Sequence, residues 1–265
     1  MKITIHGDQG ERADIAIPPS PYVESLYALS PHKCGSVLLQ NIMGDLAQAA
    51  GYPFLNIYSQ IFTQGVPHKS FRPSIDLLLR LPGYCFAGLR QPWTGDTAHL
   101  AHHRKIFLVR DPRDVMVSYY FSMAKSHALP GSGPLRDSFL SDRQKINQMS
   151  ISEFINAGTG FFVLENMREF LRWSREMPRS KVFRYEDVIF HKQAWVRDIC
   201  TFFELKVPAA TMDEIAARHD IVPDTENPDA HVRQVRPGNY KTHLSHDDIA
   251  RIEHRFQDLF EAFGY

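Results

Sequence analysis

The sequence predicts a single α/β domain with a central parallel sheet flanked by helices. Three observations carry that expectation. Leu26 to Leu29 reads as a short strand, and Lys105 to Val109 is a nearly unbroken apolar strand of the kind buried in a parallel sheet. Helical patterning follows these runs, as at Val37 to Ala50, where Leu38, Ile42 and Leu46 share one face. The alternation of strand and helix signals then continues through the chain without a change of composition, so residues 1–265 are expected to form one domain.

Taken in order, Lys2 to His6 and Arg12 to Ile17 alternate around Gly7-Asp8-Gln9-Gly10 and predict an N-terminal hairpin within an extension of residues 1–25. Leu26 to Leu29 is a strand. The helix from Val37 stops at Gly51 and Pro53. Ser74 to Leu81 is a short helix closed by Pro82 and Gly83, and Tyr84 to Leu89 is a strand. After the strand at Lys105 to Val109, Asp111 and Pro112 occupy cap and first-turn positions of a helix reaching about Lys125. Residues 127–150 are rich in Pro, Gly, Ser and charge and predict a long loop, of the kind that forms lids or acceptor-binding segments. Helix resumes from Ile151 to Glu176, broken near Gly158 to Gly160. Lys181 to Tyr185 is a strand, and a helix runs from about Lys192 to Glu204. Residues 219–244 read as irregular. Ser245 and Asp248 form a capping box for a last helix striped by Ile249, Ile252, Phe256, Leu259 and Phe263.

Composition narrows the function classes. The 30 basic and 30 acidic residues balance, which argues against a general binder of nucleic acid or anionic membranes. The three cysteines, Cys34, Cys85 and Cys200, are scattered and predict neither a disulfide framework nor a zinc site. The N-terminus lacks signal-peptide features. No apolar run approaches the roughly 20 residues that span a bilayer. A soluble, cytoplasmic protein with no transmembrane segment is the expectation. His99, His102 and His103 have helical spacing, yet no carboxylate or cysteine completes a metal set nearby, so no metal is expected. Arg168, Arg172, Arg175 and Arg179 read as a solvated helix face or a surface for a polyanionic acceptor.

Two segments carry anion chemistry. Pro31-His32-Lys33-Cys34-Gly35-Ser36 joins a strand to a helix. Free N–H groups at a helix start, a glycine permitting close approach, a lysine and a hydroxyl suit a phosphate or sulfate. Ser36 as a helix cap and Lys33 as a solvated turn residue is an equal reading, and the segment is not a Walker A loop. The second is Arg110 to Tyr120. Arg110 directly follows a buried strand and so faces the crevice beyond the strand ends, with Ser118 further along the helix. Arg110 is then either a phosphate clamp, using its forked donors, or the structural ion-pair partner of Asp114 or a neighbour.

These segments resemble the sulfotransferases that use 3′-phosphoadenosine 5′-phosphosulfate (PAPS). The family's 5′-phosphosulfate loop, P-K-S-G-T-T-W, is matched by His32, Lys33, Cys34, Gly35, Ser36, Val37 and Leu38. Its 3′-phosphate motif, R-N-P-x-D-x-x-V-S-Y-Y, is matched at Arg110, Pro112, Asp114, Val117, Ser118, Tyr119 and Tyr120. Residues 124–131, AKSHALPG, resemble A-K-x-H-x-x-P-G, and residues 183–188, FRYEDV, resemble the F-Y-E-D strand end whose tyrosine helps hold the nucleotide, here Tyr185. RQVRPGNYK at 233–241 resembles R-K-G-x-x-G-D-W-K, with Arg233 at the 3′-phosphate arginine, Arg236 as a substitute for the missing lysine, and Gly238. The resemblance runs in order over residues 27–244. It implies a P-loop-like sulfotransferase fold, PAPS as co-substrate, its product 3′-phosphoadenosine 5′-phosphate (PAP), and a hydroxyl- or amine-bearing acceptor such as a carbohydrate or small metabolite.

The departures from the family pattern define the open questions. Val37 removes one hydroxyl contact, and Leu38 replaces the tryptophan that stacks on adenine. The family's catalytic histidine, in K-T-H-L-P, aligns with Arg90, which cannot act as a base near neutrality. Arg90 is therefore read as binding the transferring group or an anionic acceptor, a hint that the polar stretch Gly131 to Asp142 shares. Lys33 is expected to stabilise developing charge, and His127 is the candidate base, with an ordinary loop histidine as the alternative. The missing base leaves a catalytically silent nucleotide-binding protein as a competitor, and a phosphotransferase using another nucleotide as a second. The family's dimer pattern degrades at Lys241, Ser245, His246 and Ala250, so the oligomeric state is left open.

Overall fold

The computed structural model describes residues 1–92, 95–130, 133–226 and 233–265. The first two strands, β1 (Lys2–His6) and β2 (Arg12–Ala16), pair antiparallel as a hairpin. A five-stranded parallel sheet follows, built from β3 (Leu26–Leu29), β4 (Phe54–Leu55), β5 (Cys85–Leu89), β6 (Arg104–Val109) and β7 (Ser180–Arg184) in the order β4-β5-β3-β6-β7.

This order places the site. The chain leaves β3 toward one edge, to β4 and β5, then returns to the other side of β3 for β6 and β7. The crossing reverses at β3, and a crevice opens beyond its carboxyl end, where open α/β sheets bind ligands. Helix α1 (Ser36–Ala49) begins at that end of β3, and α4 (Pro112–Phe121) begins at the corresponding end of β6. The intervening helices α2 (Ile57–Thr63) and α3 (Arg72–Leu78) pack on the sheet face that carries Tyr27, Leu29 and Phe86.

The unbroken apolar runs are buried on both faces because each face is covered. Leu26 and Ala28, Cys85 and Ala87, and Ile106 and Leu108 pack against α1 and against α9 (Lys192–Phe203) and α10 (Ala209–Arg218). Their alternates Tyr27, Leu29, Phe86 and Phe107 point the other way, into a cluster with Ile5 and Ile15 of the hairpin, Ile75 of α3, and Phe170 and Trp173 of α7 (Phe162–Glu176). A third cluster joins α4 to α6 (Ile151–Asn156), α7, α12 (His246–Arg255) and α13 (Gln257–Phe263). The predicted box at Ser245 and Asp248 is formed, and Asp248 also accepts from Ser152 Oγ at 2.6 Å. The last helix is divided at Phe256, whose ψ of 29° interrupts the helical path while its ring stays buried in the stripe.

Four expectations are corrected. Residues 127–150 are not one long loop, since Pro134–Asn147 forms α5, a helix with little apolar surface whose one buried residue is Ile146. Gly131 of the polar stretch lies outside the described residues. The helix from Asp111 does not run unbroken, because α4 passes into a π-helical turn at Ser122–Ser126 that brings His127 to the crevice. Tyr185 does not end β7 but starts a one-turn helix, α8 (Tyr185–Val188). A further short helix, α11 (Tyr240–His243), lies within the stretch read as irregular. Among the described residues no helix is long and apolar enough to cross a membrane.

Candidate active site

Four adjacent strands deliver one residue each to the same crevice. Beyond β5, β3, β6 and β7 stand Arg90, Lys33, Arg110 and Tyr185, and all four line a cavity of about 430 Å³. Ser118, His127 and Arg233 line it as well. No aspartate or glutamate does so among the described residues, so its polar character is cationic.

The loop after β3 forms the anion end. Helix α1 has no side-chain cap, so the N–H groups of its first turn are open to the cavity. Ser36 is the first helical residue rather than a cap, and its Oγ accepts from Arg90 Nε at 3.2 Å. Lys33 has a φ of 68° and Gly35 one of 87°. A left-handed lysine is strained by about 1–3 kcal/mol, a cost retained where geometry is needed for binding. Burial first, then the charges of Arg110, Arg90 and Arg233, pull the Lys33 ammonium down to about 8. The same crowding of cations becomes favourable when an anion sits among them. Gly35 has no room for a side chain, since a Cβ would lie 3.0 Å from the Tyr185 ring and 3.2 Å from Leu108 Cδ2. Gly35→Ala is therefore expected to cost about 1–3 kcal/mol, measured as a lowered urea midpoint, with weaker anion binding in the surviving folded protein.

Arg110 is 5% exposed. Its contact with Asp114 Oδ2 is long, 3.4 Å, and it donates to the Lys33 carbonyl at 3.4 Å. Its Nε is buried with no hydrogen-bond partner among the described residues. Asp114 spends its oxygens elsewhere, accepting from the N–H groups of Gly238 at 2.8 Å and Tyr240 at 2.9 Å. The ion pair foreseen as an alternative is thus present but incomplete, and the guanidinium keeps donor capacity toward the cavity. The Tyr185 ring lies under Arg110, 4.4 Å from ring centre to guanidinium, and its hydroxyl donates to the Val235 carbonyl at 3.1 Å. Tyr185 therefore fixes Arg110 and the C-terminal segment together.

Arg233 lies over the Phe121 ring at 4.5 Å. It donates to Asn239 Oδ1 at 2.8 Å and pairs with Glu226. Burial and Arg110 lower its guanidinium to about 10. His127 lines the cavity with its Nδ1 3.3 Å from Ser122 Oγ, and its ring stacks on Phe139 of α5 at 5.3 Å. Phe139 also meets Phe62 edge-on at 6.3 Å, and Arg143 donates to the His127 carbonyl at 2.6 Å. Helix α5 is thereby anchored across the same edge of the cavity.

Not every expected residue converges. The Cys34 side chain is fully buried in the core, and its N–H bonds the Pro31 carbonyl, so neither faces the cavity. Arg236 is exposed and lines a separate groove with Gly238, whose N–H is taken by Asp114. Arg236, offered as a substitute for the missing family lysine, does not line the cavity of Lys33 and Arg110. Val37 and Leu38 do line the cavity. Sequence reasoning passed over His32, which lines it one residue before Lys33, and the apolar walls Phe62, Phe121, Ile189 and Ile221. A histidine directly preceding the loop lysine was the available signal for His32. The apolar walls come from four separate segments, and no local pattern marks them.

Members of the other candidate clusters have structural partners. Arg168 bonds Asp258 and Glu165, Arg172 pairs with Glu169 and Glu176, and Arg179 with Glu24. His103 Nδ1 accepts from the Ser25 N–H at 3.2 Å, and the His103 ring lies 5.7 Å from that of Tyr27.

A family model described as "Sulfotransferase domain" matches residues 98–264, which include Arg110, Ser118, Tyr185 and Arg233 but not the loop after β3. Among solved structures, the mouse sulfotransferase SULT7A1 complexed with PAP is similar over 89% of this chain and 84% of its own, with 13% identity and a TM-score of 0.60. Retinol dehydratase in complex with androsterone and inactive cofactor PAP is similar over 98% of this chain and 90% of its own, with 15% identity and a TM-score of 0.55. These likenesses establish the fold. No curated protein matches the chain.

Proposed function

This chain belongs to the sulfotransferase domain family, and we propose that it moves the sulfuryl group of PAPS to a hydroxyl of an acceptor, releasing PAP. The observation that carries the donor assignment is the pair of cationic sites beyond adjacent strands, Lys33 with the α1 N-terminus after β3 and Arg110 after β6. Two anion sites joined by one cavity fit a nucleotide with phosphates at both ends of its ribose.

In this reading the first-turn N–H groups of α1, Lys33 and Ser36 hold the 5′-phosphosulfate. Arg110, Ser118 and Arg233 hold the 3′-phosphate. Arg233 exchanges Glu226 for the phosphate, a stronger acceptor with three oxygens. Leu38, with Ile189 and Ile221, offers the base an aliphatic rather than an aromatic surface. The contact between Arg90 and Ser36 favours a role on the transferring group over one on the acceptor. Its guanidinium, lowered by burial, neutralises sulfuryl oxygens beside Lys33, which stabilises the pair left on the bridging oxygen. The acceptor lies on the other side, against Phe62, Phe121 and His127, and presents an apolar face beside its hydroxyl.

The test is turnover. Incubation with PAPS and a panel of phenols, sterols and sugars is expected to release PAP in step with a sulfated product. PAPS left intact with every acceptor, under conditions where PAP binds tightly, would leave a nucleotide-binding protein without transfer activity.

A further inference from the structure

Transfer to a hydroxyl requires somewhere for the proton to go, and the position twenty residues before Arg110 is held by Arg90, which cannot accept it. Three histidines line the cavity, His32, His127 and His219, and the last is held by Asp45, its Nε2 2.9 Å from Oδ2. Within the sulfotransferase reading, on which this step rests, we propose that His32 is the base that takes the acceptor's proton. The base would then stand on the donor loop itself, next to the lysine that holds the leaving group.

The geometry distinguishes His32 from the other rings. His127 is fixed by Ser122 at Nδ1, and one face of its ring is covered by Phe139. Nearby His68 has its Nε2 2.5 Å from Gln91 Nε2. The His32 ring makes no hydrogen bond among the described residues, and only the His32 carbonyl has a partner, the Cys34 thiol at 3.8 Å. His32 also precedes Lys33 directly, so it lies within one residue of the position assigned to the sulfuryl group. His127 then forms the acceptor wall.

The electrostatics fit a base that donor binding switches on. Burial first, then the charges of Arg90, His127, Lys33 and His68, hold the His32 imidazolium well below the ordinary histidine value. The ring is therefore neutral at pH 7, with a lone pair available, but it is a weak base while those cations are uncompensated. A bound phosphosulfate offsets Arg90 and Lys33 and raises the pKa of the ring toward neutral pH, where general-base catalysis is most effective. In the step itself the acceptor oxygen bonds to sulfur as the sulfur–oxygen bond to the 5′-phosphate breaks. The electron pair of that bond stays on the phosphate oxygen beside Lys33, and the acceptor proton passes to His32 and then to solvent.

Two variants, His32→Gln and His32→Ala, and the control His127→Ala test the assignment. PAP affinity is measured by calorimetry, and PAP release from PAPS in single turnover, with 2-naphthol as acceptor and with water alone. Both His32 variants are expected to bind PAP within about threefold of the wild type while transfer falls about 10²–10⁴-fold. The acid limb of the rate profile should disappear with it. His127→Ala is expected to raise KM for 2-naphthol more than it lowers kcat. Independently of any acceptor, NMR titration of the His32 ring should show it neutral at pH 7 in the free protein and its pKa raised by PAP. Transfer retained within about threefold in either His32 variant, or a ring charged at pH 7 in the free protein, overturns the proposal while leaving the donor assignment standing. Failure of the wild type to bind PAP removes both.

Discussion

Replacing Asp114 with alanine is expected to cost about 3–5 kcal/mol of folding stability, the largest effect of any single substitution near the site. Asp114 is 1% exposed and accepts from the N–H groups of Gly238 and Tyr240 as well as facing Arg110. Alanine leaves two N–H groups without their acceptor and a buried guanidinium without its nearest carboxylate. The damage extends to function because Asp114 is the tie between α4 and the segment bearing Arg233. Asp114→Asn keeps one acceptor oxygen and should lose distinctly less. Urea denaturation of the two variants checks this, and a loss under about 1 kcal/mol for the alanine variant would show that the segment is held by other contacts.

The second large effect is on binding. Arg110→Ala should weaken PAP by about 100-fold, the consequence of losing two charge-assisted hydrogen bonds of ~1.5 kcal/mol each. Affinity for 5′-AMP, which lacks the 3′-phosphate, should change little. The fold should tolerate the change better than it tolerates loss of Asp114, because removing a buried cation leaves Asp114 its two backbone donors. Equal weakening of PAP and 5′-AMP would place Arg110 in general support of the cavity rather than at a second phosphate.

Much of this arrangement was legible because strand ends are where apolar runs stop. Lys33, Arg90 and Arg110 all follow recognisable buried strands, and parallel packing brings the ends of such strands together. Tyr185 was legible by its motif, although it begins a helical turn instead of closing a strand. Helix α5 was not legible, since it carries no apolar stripe and follows a Pro- and Gly-containing segment. It is held by Phe139, Arg143 and Asn147 contacts to the π-helical turn and its exit, which depend on where that turn sits. Arg236 lies apart for a related reason. The resemblance offers it as a substitute for the missing family lysine, but Asp114 draws in the N–H groups of Gly238 and Tyr240, and Arg236 is left exposed. His32 was not legible as functional, because the family pattern has proline there and directs attention to Arg90 and His127.

The central claim is that the cavity holds a nucleotide by two separated phosphates. Calorimetric titration of the wild-type protein with PAP, 5′-AMP and ATP tests it most directly. PAP is expected to bind at least about 100-fold more tightly than 5′-AMP, and more tightly than ATP, whose phosphates extend from one end of the ribose only. ATP or 5′-AMP binding as tightly as PAP would contradict the second anion site at Arg110, and with it the PAPS assignment.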